Sequence, residues 1–188
     1  MQMPDNTLYF IAIIPPDIIC REVTSFKDDI ALHHNSKKAL RVMPHITLKA
    51  PFAISYNRDI EVREWFTSMP IKSTAFEVEL NGFDCFDKPK DPVIFVKPKL
   101  SSELISLQKK IIEAFEMQFP ELKSQFSDKD FHPHITIAYR DLTYPEFGKA
   151  WEKYSKKEYQ NSFNVQHIFL LKHNKSSWEI SVKKNIDI

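Results

Sequence analysis

Glycine is scarce in this chain, which has only Gly82 and Gly148 among 188 residues. Phosphate loops of the GxxxxGK[ST] type, dinucleotide GxGxxG turns and GxSxG nucleophile elbows each need closely spaced glycines. The backbone must approach a phosphate or take a strained conformation in all three. Two isolated glycines cannot build any of them, so side chains must do most of the work if this chain binds phosphate.

Cysteine, long apolar runs and excess charge are also lacking. Cys20 and Cys85 lie far apart without CxxC or zinc-ligand spacing, which predicts two reduced structural thiols. No apolar run approaches the ~20 residues of a membrane helix, and the start, MQMPDNTLYF, does not resemble a signal peptide, so we expect a cytoplasmic location. A net charge of +1 excludes binding through a broad basic surface and favours a small or end-on phosphate ligand.

The apolar residues, 43% of the chain, are enough for one core and follow strand and helix periods in turn. Pro15-Pro16 ends the first strand and opens a helix, and Ser101 or Ser102 can cap a later one. Thr143 and Glu146 have the form of a capping box. The predicted elements in chain order are strand 8–14, a helix through 19–30, the HITL strand, helix 57–69, strands 76–80 and 93–96, a helix through 104–115, the HITI strand, a helix through 147–154, and strands 163–171 and 178–182.

The order strand, helix, strand, helix, strand occurs twice along the chain. This repetition predicts an internal duplication, with approximate repeats 7–84 and 92–183 inside a single bilobal domain spanning residues 1–188. Two similar lobes related by a pseudo-twofold axis would place the two histidine-containing strands on opposite sides of a shared cleft. A cleft of this kind is a common location for a ligand site.

The two central strands carry nearly the same residues, PHITL at 44–48 and PHITI at 133–137. Side chains alternate between the faces of a strand, so His45 and Thr47 share one face while their apolar neighbours share the other. The same alternation applies to His134 and Thr136. Each motif strand therefore has one apolar face that packs against its own lobe and one polar face with an imidazole and a hydroxyl group.

Two imidazoles and two hydroxyls facing one cleft suit phosphodiester chemistry, which needs a base on the attacking oxygen and an acid on the leaving one. Histidine fits both roles because its unperturbed pKa is about 6.5. The threonines can donate hydrogen bonds to non-bridging oxygens. If neither strand is bulged, Lys49 and Arg140 share the polar faces and can offset developing charge. No metal is required.

A lone histidine on a strand is more often structural than catalytic, but a pair of matching motifs changes the odds. A given histidine is followed by apolar-Thr-apolar ~1% of the time with this composition. Two such matches among seven histidines arise by accident on the order of 0.1% of the time. Their equivalent places in the repeat lower that frequency further.

The segments PHITLKAPF and FHPHITIAY resemble the paired H-x-T/S-x motifs of the 2H phosphoesterases, also called the 2'-5' RNA ligase or LigT-like family. The order of elements resembles that family across nearly the whole chain. The resemblance implies an α+β, bilobal, duplicated LigT-like fold with two pseudo-symmetric antiparallel-sheet lobes, outer helices and a central cleft. We predict no cofactor, no membrane partner and no protein partner.

For function, the resemblance implies His45 and His134 as the catalytic pair and Thr47 and Thr136 as phosphate ligands. In hydrolysis His134 would be the base that activates water and His45 the acid on the leaving ribose oxygen. The implied substrates are 2',3'-cyclic phosphates at RNA ends or 2'-5' linkages, with reversible ligation in some members. A small cyclic-phosphate nucleotide fits the motifs as well as an RNA terminus.

Five further residues near the motifs are candidates for substrate binding: Lys49, Arg140, Tyr139, Phe52 and His132. Aromatic side chains can stack on a nucleobase. Core packing is the stronger interpretation for Phe52, Phe131 and Tyr139, and Tyr139 has back-face parity unless its strand bends. His132 either lies at the rim of the cleft or simply precedes the strand. The HPH sequence lacks the acidic and histidine partners of a metal site.

Two alternatives to a metal-independent phosphoesterase remain open from the sequence. A non-catalytic binding module can use the same cleft to hold a nucleotide or an RNA terminus, although binding alone does not need two proton-transfer groups. A metal-dependent hydrolase is the other, and chelation of the metal would separate it from the first hypothesis.

Overall fold

The computed structural model describes residues 6–122 and 124–186, which form eight strands and five helices with two short 3-10 turns. The strands are β1 Asn6–Ile13, β2 Ile46–Ser55, β3 Phe76–Phe86, β4 Val93–Pro98, β5 Ile135–Ala138, β6 Gln160–Val165, β7 His167–His173 and β8 Trp178–Asn185. The helices are α1 Asp17–His33, α2 Asp59–Ser68, α3 Ser102–Gln118, α4 Phe126–Lys129 and α5 Tyr144–Tyr154.

The strands form two four-stranded sheets, with the orders β2-β1-β7-β8 and β5-β4-β3-β6, which we call the first and second sheet. Every pairing is antiparallel. The predicted α+β class with two antiparallel sheets is therefore confirmed. The boundaries of the two repeats stay a prediction.

The two sheets exchange strands between the halves of the chain. β3 belongs to the first half but pairs with β4 and β6 in the second sheet, whereas β7 of the second half pairs with β1 in the first sheet. The prediction of one strand over 163–171 is wrong. The strand β6 ends before Gln166, and β7 begins after it in the other sheet. The second sheet thus takes one strand, β3, from the first half of the chain, and the first sheet takes two, β7 and β8, from the second half.

The helices reinforce this exchange by packing across the halves. α1 lies against β5, and α3 lies against β2, so each motif strand is covered by a helix from the other half. Of the two predicted caps, Ser101 lies just before α3 and caps it, because its side chain accepts a hydrogen bond from the Leu104 N–H at 3.2 Å. Leu104 and Phe115 on this helix are fully buried in a core that draws side chains from both sheets.

α5 begins where the sequence predicts, but the predicted capping box is wrong. Thr143 is the residue before the helix, and its side chain makes no capping hydrogen bond. Glu146 is instead held by His34 Nδ1 at 3.2 Å and by Lys149 Nζ at 2.6 Å. The carboxylate of the expected box is therefore used to join α5 to the end of α1.

Within the described residues, none of the helices has both the length and the apolar composition needed to cross a lipid bilayer.

Candidate active site

Each motif strand contains a bulge at the residue that follows its threonine. The register of β2 with β1 skips Leu48, and the register of β5 with β4 skips Ile137. A bulge adds one unpaired residue and shifts the alternation of side chains beyond it. The face shared by histidine and threonine is therefore kept up to Thr47 and Thr136, and changes immediately afterwards.

The two histidines are held in the same way. His45 Nδ1 lies 2.7 Å from the carbonyl oxygen of Met43, and His134 Nδ1 lies 2.7 Å from that of His132. A carbonyl oxygen can only accept, so Nδ1 carries the proton in both rings and Nε2 is the atom free to exchange one. The proline between the carbonyl and the histidine has a fixed φ, which restricts this arrangement. We call His45 with Thr47 the first half-site, and His134 with Thr136 the second half-site.

Aromatic rings from neighbouring strands line each imidazole. The Phe10 ring lies 4.9 Å from the His45 ring and packs edge-on against Trp178 at 4.6 Å. The His134 ring lies 5.2 Å from Phe86 and 5.4 Å from Phe95. Both histidines are half-buried against apolar walls that exclude water from part of each ring.

This burial lowers the pKa of both histidines. Desolvation is the largest cause and lowers the pKa of His45 to about 4, with the charges of Lys27 and His134 acting in the same direction. Desolvation also lowers the pKa of His134, and the charge of His132 adds to it. The backbone acceptors oppose these shifts by stabilising the protonated rings. Both imidazoles are therefore neutral at pH 7 in the free protein.

The half-sites open into two adjoining cavities that together form one cleft. A small cavity of about 160 Å³ is lined by His45, Thr47 and Thr136. A large cavity of about 660 Å³ is lined by His134 and also by Thr47. The two cavities share a wall that consists of Thr47, Pro51, Tyr139 and Arg140. The four motif residues, which the sequence places 89 positions apart in pairs, thus border one continuous space.

The family model of the 2'-5' RNA ligase superfamily matches residues 15–177, a span that includes both motifs. The chain belongs to this superfamily of 2H phosphoesterases and 2'-5' RNA ligases. A comparison with curated proteins finds no match.

Solved structures share the superfamily fold with this chain over nearly its full length. E. coli LigT complexed with 3'-AMP superimposes with a TM-score of 0.67 at 15% identity, covering 95% of this chain and 97% of LigT. LigT complexed with ATP gives 0.67 at 16% identity, with 98% and 100% covered. A protein of Thermus thermophilus gives 0.64 at 14% identity, with 95% and 97% covered. These matches confirm the LigT-like fold.

Two further candidates, Tyr139 and Arg140, lie in the cleft of this superfamily member. The bulge in β5 reverses the alternation, so Tyr139 lines both cavities instead of facing the core. Arg140 has a left-handed backbone with φ of 60° and places its guanidinium 5.1 Å from the Tyr139 ring. The strand bend therefore brings an aromatic ring and a cation to the wall between the half-sites.

The prediction that Lys49 faces the cleft is wrong. Because of the bulge at Leu48, Lys49 turns inward, where it is 1% exposed. Its Nζ donates to Asp128 Oδ2 at 2.9 Å and lies 4.4 Å from the centre of the Phe115 ring. Lys49 is thus part of a buried ion pair that joins β2 to α4.

Phe52 is also absent from the cleft, so its prediction as a base-stacking residue is wrong. The side chain is buried beyond the same bulge. Its ring packs against three other aromatic side chains in the core: Tyr9, Phe115 and Phe119. The alternative interpretation of Phe52 as a packing residue agrees with the structure.

His132 lies exposed at the rim of the large cavity. Its Nδ1 is 3.2 Å from the Asp130 carbonyl oxygen and 3.6 Å from the Asp130 carboxylate. Its own carbonyl orients His134, so the backbone of this residue matters to the second half-site. Across residues 6–122 and 124–186, no group of three or more His, Cys, Asp or Glu side chains is arranged to hold a metal ion.

Two contributors to the cleft were missed at the sequence level. Lys27 on α1 lines the small cavity and is 3% exposed, and its Nζ donates to the Val42 carbonyl at 2.7 Å. The available signal was a charged residue four positions after Val23, on the apolar stripe of a predicted helix. Asp141 accepts hydrogen bonds from Ser36 Oγ and from the N–H groups of residues 37 and 38. It therefore fixes the turn containing Arg140 to the first half of the chain.

Proposed function

We propose that this protein is a metal-independent phosphoesterase that hydrolyses 2',3'-cyclic phosphate or 2'-5' phosphodiester bonds of RNA ends or nucleotides, with reversible 2'-5' ligation as a further capacity. The observation that supports this proposal most directly is the matched pair of histidines. Each has Nδ1 bound to a backbone carbonyl and Nε2 free, and both line one cleft with two threonines. A binding site alone has no need for two such proton-transfer groups.

In the proposed hydrolysis, the neutral Nε2 of His134 takes a proton from water as its oxygen attacks phosphorus. The protonated Nε2 of His45 gives a proton to the leaving ribose oxygen. Thr47 and Thr136 donate hydrogen bonds to the non-bridging oxygens, and Arg140 offsets the negative charge. In the ligation direction the acid and the base exchange roles.

Because the pKa of His45 is lowered, this mechanism requires His45 to become protonated before it can act as the acid. A ring that is neutral in the free protein must gain its proton when the substrate binds. An anionic phosphate favours the imidazolium form, because an opposite charge within a few ångströms raises the pKa of a histidine. Substrate binding is therefore expected to be accompanied by proton uptake.

The large cavity supports an RNA end in preference to a mononucleotide alone. Phe126, at the start of α4, lines this cavity with 80% of its surface exposed, and Phe131 and Lys88 lie on the same lining. An exposed aromatic ring near a basic side chain suits a stacked base and its phosphate, and stacking contributes ~1–3 kcal/mol per base. E. coli LigT, which shares this fold, has been crystallised with 3'-AMP and with ATP, which supports a nucleotide ligand.

The test is an assay of 2',3'-cyclic nucleotides, short RNAs with cyclic-phosphate ends and 2'-5'-linked RNAs, all in EDTA. We expect wild-type turnover in EDTA and its loss in His45→Ala and in His134→Ala, whereas His33→Ala, an exposed residue on α1, should keep it. Activity that survives both cleft substitutions would refute the catalytic pair, and activity abolished by EDTA would refute the metal-free mechanism. Tight phosphate binding without turnover of any substrate would identify a binding module instead.

A further inference from the structure

Lys27 places a buried ammonium group beside the first half-site. The residue lies on α1, which packs against β5 of the opposite half, and its side chain lines the small cavity with His45, Thr47 and Thr136. Only 3% of Lys27 is exposed. In the part of the chain that the structure describes, no carboxylate lies within ion-pair distance of its Nζ.

A buried cation without a counter-ion is costly, because burial removes its hydration without supplying an opposite charge. Desolvation accordingly lowers the pKa of Lys27 to about 8, while the charges of Cys20 and Asp28 act in the opposite direction. An ammonium group has three N–H donors, and the Val42 carbonyl accepts from one of them. Among the described residues Val42 is the one hydrogen-bond acceptor of Nζ, and Lys27 lines the small cavity.

We propose that Lys27 is a phosphate-binding residue, which contacts a non-bridging oxygen of the substrate phosphate and offsets its charge while water displaces the leaving ribose oxygen from phosphorus. This inference rests on the proposed function of the cleft. It gives the site one cation from each half of the chain, with Lys27 from α1 and Arg140 from the turn after β5. The bound anion supplies the counter-charge that the free protein lacks around Lys27.

Lys27 differs from the other two buried lysines of the described chain in what surrounds it. Lys49 is paired with Asp128 in the core. Lys184 on β8 is 9% exposed, and its Nζ donates to the Thr67 carbonyl at 2.7 Å, a bond of the same type and length as that of Lys27. Lys184 lines neither cavity of the cleft, so it is a control for a lysine of low exposure that has the same hydrogen bond and no anion site.

The experiment compares Lys27→Met with Lys184→Met in the full chain. We measure kcat/KM for a 2',3'-cyclic mononucleotide, competitive inhibition by inorganic phosphate, and thermal unfolding. Removing one donor to a transition-state oxygen costs on the order of 100-fold in turnover, so Lys27→Met should lose about that much kcat/KM. It should also weaken phosphate inhibition by on the order of 10-fold, the effect of losing one charge-assisted hydrogen bond. Lys184→Met should match the wild type in both measurements.

Equal phosphate inhibition and equal kcat/KM in the two variants would overturn the role of Lys27 and leave a structural lysine. If Lys27→Met does not fold, the NMR titration of the Lys27 side chain in wild-type protein decides. Its pKa should rise when inorganic phosphate is added, and an unchanged pKa would contradict the proposal. A wild type that binds phosphate through Lys27 but turns over no ester would refute the proposed hydrolysis while leaving this anion site in place.

Discussion

Replacing Asp128 by asparagine should destabilise the protein strongly, because it leaves the ammonium group of Lys49 buried without a counter-charge. Both side chains are 1% exposed, and their charged atoms are 2.9 Å apart. Asp128 also accepts hydrogen bonds from the N–H groups of Ala50 and Gln125, both at 2.8 Å. The carboxylate thus accepts hydrogen bonds from the backbone of β2, from the backbone at the start of α4 and from the Lys49 ammonium group.

The expected magnitude follows from the burial of both partners. Removing one partner of a buried ion pair costs ~3–5 kcal/mol. For a chain of this size each kcal/mol lowers the melting temperature by about 2–4 °C, which gives a decrease of roughly 6–20 °C. An exposed pair offers the matched control. Lys97 and Asp84 lie 2.8 Å apart with 53% and 41% of their side chains exposed, so Asp84→Asn should cost under about 1 kcal/mol.

Urea unfolding followed by fluorescence measures both variants, and a double variant completes the test. Lys49→Met combined with Asp128→Asn removes both charges and keeps a side-chain oxygen that can accept from the Ala50 N–H, so it should recover part of the free energy that Asp128→Asn alone loses. Its kcat/KM should stay close to that of the wild type, since Lys49 lies outside the cleft. Two results would refute the reasoning: an Asp128→Asn cost no larger than that of Asp84→Asn, or a large loss of kcat in a fully stable Lys49→Met protein.

Two further predictions concern the cleft. The value of kcat/KM for a 2',3'-cyclic nucleotide should be highest below about pH 6.5 and fall as pH rises through 7, because the acid must be protonated and burial lowers the pKa of both histidines in the free protein. A pH series at constant ionic strength checks this, and a profile that rises from pH 6 to 8 would contradict it. Phe126→Ala should lower kcat/KM for short RNA ends by roughly 5- to 150-fold, the equivalent of ~1–3 kcal/mol of stacking, with no change for a cyclic mononucleotide. Met117→Ala, 85% exposed on α3 and outside the cleft, is its control, and an equal loss on both substrates would argue against a stacked base.

The sequence predicted both half-sites because the histidine and the threonine of each motif are two residues apart, and side chains two residues apart lie on the same face of a strand. The same rule failed beyond Thr47 and predicted the wrong face for Lys49. The bulges have no local sequence signature, since Leu48 and Ile137 are ordinary strand residues and only pairing with a neighbouring strand leaves them unpaired. The bulge in β2 therefore explains the incorrect placement of Lys49, and the bulge in β5 explains the arrival of Tyr139 in the cleft.

Long-range placement was also beyond the reach of the sequence. Periodicity locates the α1 helix and shows Lys27 on its apolar stripe, but cannot tell that α1 lies against β5 of the other half. The segment 163–171 looked like one strand because apolar residues continue on both sides of Gln166. In the structure the buried positions change parity there, with Phe163 in β6 and Ile168 in β7. Membership of a sheet is decided by tertiary pairing that no window of sequence contains.

The exchange of β3 and β7 makes the two halves of this chain obligate complements. A cut in the turn at 87–92 would give an N-terminal fragment whose β3 has lost its neighbours β4 and β6, and a C-terminal fragment whose β7 has lost β1. Each fragment would expose unpaired strand edges whose native neighbours lie in the other fragment. The cleft between the half-sites would therefore form only when the two fragments assemble, and fragment complementation should restore the fold and the proposed activity together.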